Sequence, residues 1–226
     1  MNNIAEHVWL LRYPLSIVGT QHGRNVTVIR LSSGKTILHS LAPFTTADVA
    51  AISGLGPPGW LVEAMLLHDT YAREGQQAFP GVPFLAPPGF SKQIDPPALP
   101  LLPTPVEWGD EIDVISIEGA PRLKEHVMLH RPSRSLIVAD LIFNFRSDER
   151  GWDRFFHRHI AGFKRYPGIS RIFKLCVTDR AAFQSSVSKV MEWDFDRIIV
   201  GHGEVIECDG KALLQRALAD AGLPYA

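Results

Sequence analysis

Three apolar runs in this 226-residue chain end on residues that can do chemistry. Met65-Leu66-Leu67 runs into His68-Asp69, Leu136-Ile137-Val138-Ala139 into Asp140, and Ile198-Ile199-Val200-Gly201 into His202-Gly203. An apolar strand that stops on a histidine or aspartate sets that group at the edge of a sheet, where loops meet and sites form. His126 opens another such run. Two imidazoles and a carboxylate make an open metal site, which a third imidazole can complete; the same three donors are also the facial triad of non-haem iron. Each residue has an ordinary structural alternative. Asp140, on a buried strand, needs a partner of some kind, which a metal, Arg73 or backbone amides would supply. His202 stands between glycines that let the backbone turn and hold the ring toward a cleft.

These side chains need a scaffold of strands. His7 to Tyr13, Asn25 to Leu31 and Lys35 to Leu41 are rich in Val, Ile and Leu, and Ser32-Ser33-Gly34 reads as the turn between the last two. Thr45 or Thr46 caps a short helix that Gly54 stops. Leu61 to Leu67 suits a buried strand and Arg73 to Phe79 a helix. Eight prolines between Pro83 and Pro105 exclude long regular elements there and predict an ordered surface wrap. Strands return at Glu111 to Ile117, His126 to His130 and Ser135 to Asp140. Trp152, Phe155, Phe156 and Ile160 follow helical spacing, as do Ala182, Val187, Val190 and Met191 behind an Asp179 cap. A strand from Arg197 to Val200 and a helix from Gly210 to Ala221 close the chain.

The order of these elements and the residues at their ends resemble the metallo-β-lactamase fold superfamily over nearly the whole chain. The family's first metal motif, H-x-H-x-D-H, falls in register on His68-Asp69-Thr70-Tyr71-Ala72-Arg73. A later family histidine matches His126, the bridging aspartate matches Asp140 fourteen residues on, and the closing histidine matches His202 in its Gly-His-Gly turn. His130 is a poorer match for the later histidine. The resemblance implies a single α/β domain over residues 1–226, a four-layer αββα sandwich of two mixed sheets with outer helices. It implies metal ligands at His68, His126, Asp140 and His202. Three ligand positions are lost, to Thr70, Ala72 and Arg73, and the fixed charge of an arginine opposes a second cation.

The expected activity is therefore that of a metallo-hydrolase-like protein with at most one divalent metal, zinc or iron, acting on a small ester, lactone or phosphoester. Asp140 would orient the attacking water or take its proton, and Arg73 with Thr70 would hold an anionic substrate group. The alternative is a non-catalytic, metal-free binding protein of the same fold.

Composition narrows the partners. Hydrophobic residues make up 46% and charged residues 21%, which excludes disorder as the main state, and the net charge of −1 argues against a polyanion-binding surface over the whole molecule. A small-molecule ligand is expected, with neither nucleic acid nor membrane as partner. No stretch reaches the ~18 apolar residues of a membrane helix. The N-terminal apolar run is cut by Arg12 and Pro14 and lacks a basic lead-in, and Cys176 and Cys208 are too few for a disulfide framework, so a cytoplasmic protein is expected. Gly54 to Gly59 is a loop rather than a phosphate cradle, and there is no G-x-S-x-G nucleophile. Arg154, Arg158 and Lys164-Arg165, with His157 and His159, form a basic strip whose ordinary reading is a solvated helix face, with an acidic ligand as the alternative.

Overall fold

The computed structural model describes residues 1–90, 93–146 and 149–225. Its first sheet has seven strands in the order β1-β2-β5-β6-β7-β8-β9. These are β1 (Asn2–Ala5), β2 (Val8–Tyr13), β5 (Arg24–Arg30), β6 (Thr36–His39), β7 (Pro58–Val62), β8 (Phe84–Ala86) and β9 (Leu99–Pro100). A two-residue ribbon, β3 (Ser16–Ile17) with β4 (Thr20–Gln21), lies between β2 and β5 in sequence. The second sheet orders β10 (Ile112–Ser116), β11 (His126–His130), β12 (Ser135–Ile137) and β13 (Arg197–Ile199). Both sheets are mixed: β1 to β6 pair antiparallel and β6 to β9 parallel, while β10 to β12 pair antiparallel and β12 to β13 parallel.

The central strands are apolar on both faces, as strands covered on both sides must be, and side-chain alternation sorts their residues into layers. Ile29, Ile37, Trp60 and Val62 of the first sheet meet Ile112, Met128, Ile137 and Ile199 of the second in the inner core. Their neighbours Val26, Val28, Leu38 and Leu61 face outward onto helices α1 (Thr46–Ser53) and α2 (Ala72–Ala78). Val127, Leu129, Leu136 and Ile198 pack under Phe183, Val187 and Val190 of α5 (Arg180–Glu192) and Leu214 and Leu218 of α6 (Gly210–Ala221). The result is the αββα sandwich. Between β12 and β13 in sequence, ahead of α5, come α3 (Gly151–Phe155), a π-helical turn (Phe156–Ile160) and α4 (Arg171–Cys176).

Local signals hold at many ends. Thr45 and Asp48 form a reciprocal capping box on α1, and Asp179 caps α5 through the Ala182 amide. The proline-rich segment contributes only the short β8 and β9; residues 91 and 92 of it lie outside the described set. Two expectations are corrected. The strand expected over Leu61 to Leu67 is instead Pro58–Val62, because the backbone then leaves the sheet: the Leu66 amide donates to the Leu123 carbonyl and Met65 to His68 form a turn. The helix begun at Trp152 does not stay α-helical: the Ala161 amide donates to the Phe156 carbonyl, five residues back. Among the described residues no helix is long and apolar enough to cross a membrane.

Met128 is fully buried where the two sheets meet. Met128→Ala is expected to destabilise the fold by about 2–5 kcal/mol, read from urea unfolding, since the cavity has rigid walls on both sides. A loss below ~1 kcal/mol would mean that the sheets do not close there.

Candidate metal centre

Strands β12 and β13 are parallel, so the loops at their C-terminal ends meet at the same edge. Asp140 and His202 each lie three residues beyond their strand end, and the Gly201 amide donates to the Ala139 carbonyl between them. The first sheet supplies His68, six residues past β7. One donor atom from each of His68, Asp140 and His202 lies within 4.8 Å of the other two. His68 Nε2 is 3.2 Å and His202 Nε2 3.4 Å from the same oxygen, Asp140 Oδ1.

The two sheets are fastened together at this edge. The Asn25 amide donates to the Gly201 carbonyl, and its side chain donates to the carbonyls of Val200 and Gly203. The glycines of the turn have distinct reasons. A side chain on Gly201 would lie 2.5 Å from the Ala139 carbonyl oxygen and 3.1 Å from His68 Cε1. Gly203 has φ +93°, and a side chain there would lie 2.3 Å from the Asn144 carbonyl oxygen. The His202 ring stacks on Phe143 at 5.8 Å between centroids.

Charged groups without solvent hold the ligand-bearing loops. Arg24 and Glu63 form an ion pair at 2.8 Å, with side chains 2% and 0% exposed. Arg24 also donates to the carbonyls of Leu41 and His68, and Glu63 accepts the Leu41 amide. Glu125 accepts the amides of Ala139, Asp140 and Leu141 at 2.9–3.1 Å, gripping the backbone that carries Asp140. Burial pushes the Glu63 carboxyl up to about 7 although Arg24 opposes it, and burial with the nearby Asp140 charge pushes Glu125 up to about 8. Burial and Arg24 lower His68 to about 4. Burial disfavours the Asp140 anion too, but the two imidazoles outweigh it and hold that carboxyl below the usual range.

The donor set fits a divalent cation on a direct observation. A carbonyl oxygen only accepts, so the 2.6 Å contact of His202 Nδ1 with Gly23 O places a proton on Nδ1. In the neutral ring Nε2 is then a lone pair facing a carboxylate oxygen at 3.4 Å. Two acceptors so placed need a cation between them, either a proton or a metal. His68 differs: its Nε2 is in hydrogen-bond reach of Asp140, and its Nδ1 is buried without a hydrogen bond 3.9 Å from Glu63 Oε2, itself unpartnered. A carboxylate behind a ligating imidazole is the arrangement that orients metal-bound histidines.

The other residues singled out from the sequence lie elsewhere. His126 is not in the group. Its Nδ1 donates to the Lys124 carbonyl, and the ring lines a separate cavity beside Ser116, Glu118 and Pro88. The reason is strand parity: Glu125 points its carboxylate at the Asp140 loop, so the next residue faces the other way. Arg73 is exposed and donates to the Gln93 carbonyl, and Thr70 is exposed. The cation beside the cluster is Arg24. Arg24, Glu63, Glu125 and Asn25 were missed in the sequence; a glutamate inside the apolar stretch Trp60 to Leu67 was the one available signal. A cavity of about 410 Å³, lined among others by Arg12, His22, Glu149, Asp153 and Glu204, reaches Gly23 and Gly203 beside His202, but none of His68, Asp140 and His202 lines it. His22 also lies edge-on to His202 and to the buried His157.

No family model matches the chain, and no curated protein matches it. Solved structures do. A metallo-beta-lactamase from Erythrobacter litoralis shares 17% identity at a TM-score of 0.62, covering 98% of this chain and 91% of its own. The metallo-beta-lactamase FIM-1 from Pseudomonas aeruginosa, in its mono-zinc form, shares 15% at 0.63, covering 99% and 96%. The metal-soaked Flv1 flavodiiron core from Synechocystis sp. PCC6803 shares 12% at 0.65, covering 96% of this chain and 59% of its own. The chain has the metallo-β-lactamase fold.

Two measurements test this arrangement. Arg24→Leu is expected to cost about 3–5 kcal/mol in urea unfolding, because it leaves Glu63 buried without its counter-charge; a loss under ~1 kcal/mol would remove the pair's organising role. The pH dependence has two opposed arms. His22, His39, His68 and His130 are lowered from 6.5 to about 4, 3, 4 and 4, so the folded chain binds fewer protons than the unfolded one below about 6.5, and stability falls on acidification. Glu63 and Glu125 are raised from 4.5 to about 7 and 8, so the folded chain binds more protons there and stability declines as pH rises through that range. Chelator-treated protein should therefore melt highest near pH 6.5 and lower on both sides, which differential scanning fluorimetry would check.

Proposed function

We propose that the protein is a mononuclear metallo-hydrolase whose ligands are His68, Asp140 and His202, acting on a small ester, lactone or phosphoester in the cavity beside His202. The observation that carries this is the pair of facing acceptors, His202 Nε2 and Asp140 Oδ1, beside a second imidazole nitrogen on the same oxygen. Three protein donors leave a position for water or substrate, and two nitrogens with one carboxylate suit zinc or iron. When bound, such a metal polarises a carbonyl or phosphoryl oxygen and lowers the pKa of a water. The mono-zinc form of a protein with this fold supports the stoichiometry.

The chain's own residues do the rest. Asp140 is 22% exposed and so reaches the solvent side, where its anionic carboxylate would accept a hydrogen bond from the attacking water and orient it. Glu125 holds the Asp140 amide, and Gly23 and Phe143 fix the plane of the His202 ring. Arg12 and Arg146 line the cavity together with Glu149, Asp153 and Glu204, and Arg12 is ion-paired with Glu204, so the lining suits a polar, uncharged ester or lactone better than a strongly anionic group. The unpaired Cys176 and Cys208 suit a reducing cytoplasm.

A second reading, a metal-free binding protein, is favoured by the 3.2 Å contact that already joins His68 to Asp140. Metal stoichiometry separates the two. Untagged, chelator-treated protein is expected to take up one equivalent of zinc by calorimetry. His202→Ala and Asp140→Asn should weaken uptake by at least about tenfold, and Arg73→Ala should leave it unchanged. Zinc-loaded protein should hydrolyse p-nitrophenyl acetate or bis-p-nitrophenyl phosphate, and His202→Ala should not. No uptake would establish the metal-free reading, and two tight equivalents would refute the mononuclear one.

A further inference from the structure

The basic strip is the largest feature left unused by the site. Seven of the chain's 23 Lys and Arg residues, but one of its 24 Asp and Glu residues, fall between Arg150 and Lys174, leaving sixteen against 23 elsewhere. A net charge of −1 therefore hides a strongly cationic segment on an anionic body. Four of those cations, Arg154, Arg158, Lys164 and Arg165, line one cavity of about 320 Å³ over Phe163 and Tyr166, against one carboxylate, Glu149, which is taken up by His157 and Tyr166. A neighbouring cavity of about 200 Å³ shares Lys164 and Arg165 and adds Arg171 and Lys174. Only Arg165 is neutralised, by Asp220; Arg154 and Arg158 have no ion-pair partner among the described residues.

Large apolar side chains stand exposed on the same segment. Trp152 and Phe155 are half exposed and stacked on each other, Ile160 lies beyond them, and Ile172 and Leu175 project from α4 between its cations, Leu175 at 74% exposure. The Trp152 indole donates to the Val18 carbonyl, which adds a further exposed apolar residue. On the helix beginning at Gly151, Trp152, Phe155 and His159 form one stripe and Arg154 and Arg158 the adjoining one.

We propose that this face docks the protein on an anionic lipid bilayer. Guanidinium and ammonium groups complement lipid phosphates and carboxylates, and tryptophan, phenylalanine and leucine beside them enter the headgroup layer. The apolar partners distinguish the surface from a nucleic-acid site, which would have little use for Leu175 and Ile172. That no helix among the described residues is long and apolar enough to span a membrane does not bear on such interfacial attachment. Asp153 of α3 also lines the cavity that reaches Gly203 beside His202, so docking places its mouth next to the membrane.

Flotation of the full chain with phosphatidylcholine vesicles, with and without phosphatidylserine, tests this. Binding is expected only with phosphatidylserine and should fall as salt rises. Arg154→Gln with Arg158→Gln should weaken it roughly fivefold per charge. Trp152→Ser with Phe155→Ser should weaken it without changing its salt dependence. Both pairs are exposed, and circular dichroism checks that the variants fold. No binding at low salt, equal binding to both vesicles, or an unaffected arginine variant would overturn the proposal. So would a dimer in sedimentation that Trp152→Ser with Phe155→Ser dissolves while vesicles stay unbound, or tighter binding to short duplex DNA than to anionic vesicles.

Discussion

The buried ion pair between Arg24 and Glu63 is the constraint around which the candidate site is arranged. Two charges out of water survive only if their remaining hydrogen-bonding capacity is met, and here it is met by backbone. Arg24 at the start of β5 reaches the carbonyls of Leu41 and His68, and Glu63 just past β7 takes the Leu41 amide. Three separate stretches of chain are held by one pair. The Glu63 amide still donates to the Leu85 carbonyl, but beyond it the chain leaves the sheet, the Leu66 amide donating to the Leu123 carbonyl, and Arg24 holds the His68 carbonyl at the edge.

The second sheet solves the matching problem with a single carboxylate. Glu125 satisfies three consecutive amides that a turn would otherwise leave unpaired. Asp140 is thus presented by a rigid loop rather than by a mobile one. Asn25 then ties the His202 turn to the first sheet, so the two imidazoles and the carboxylate come from two sheets yet share one rigid edge.

The positions that differ from the family motif have a coherent placement. Ala72 is buried in the outer core under the first sheet, while Thr70 and Arg73 are exposed. Among the described residues the only group of three or more His, Cys, Asp or Glu able to share a cation is the one at Asp140. Positive charge next to it comes from Arg24, which burial and carbonyl contacts immobilise. It therefore acts on His68 as a constant field rather than as a mobile counter-ion.

Much of this architecture is local and was legible in the sequence. The strand His126–His130 and the helix Gly210–Ala221 have the bounds their patterning indicates, and Thr45, Asp179 and the Gly-His-Gly turn announce themselves by residue type. That apolar runs ending at His68, Asp140 and His202 reach an edge is also a matter of pattern alone. Pattern could not decide which of two adjacent residues faces that edge. A one-residue change of parity gives the place to Glu125 and sends His126 to another cavity, and both read equally well as the start of a strand. Nor could it pair Arg24 with Glu63, 39 positions away, or send Arg73 to the Gln93 carbonyl. Periodicity is a property of neighbours in the chain and so is written in the sequence. Register between strands and the partner of a buried charge depend on which distant segments share a low-dielectric space, and only the assembled tertiary structure selects them.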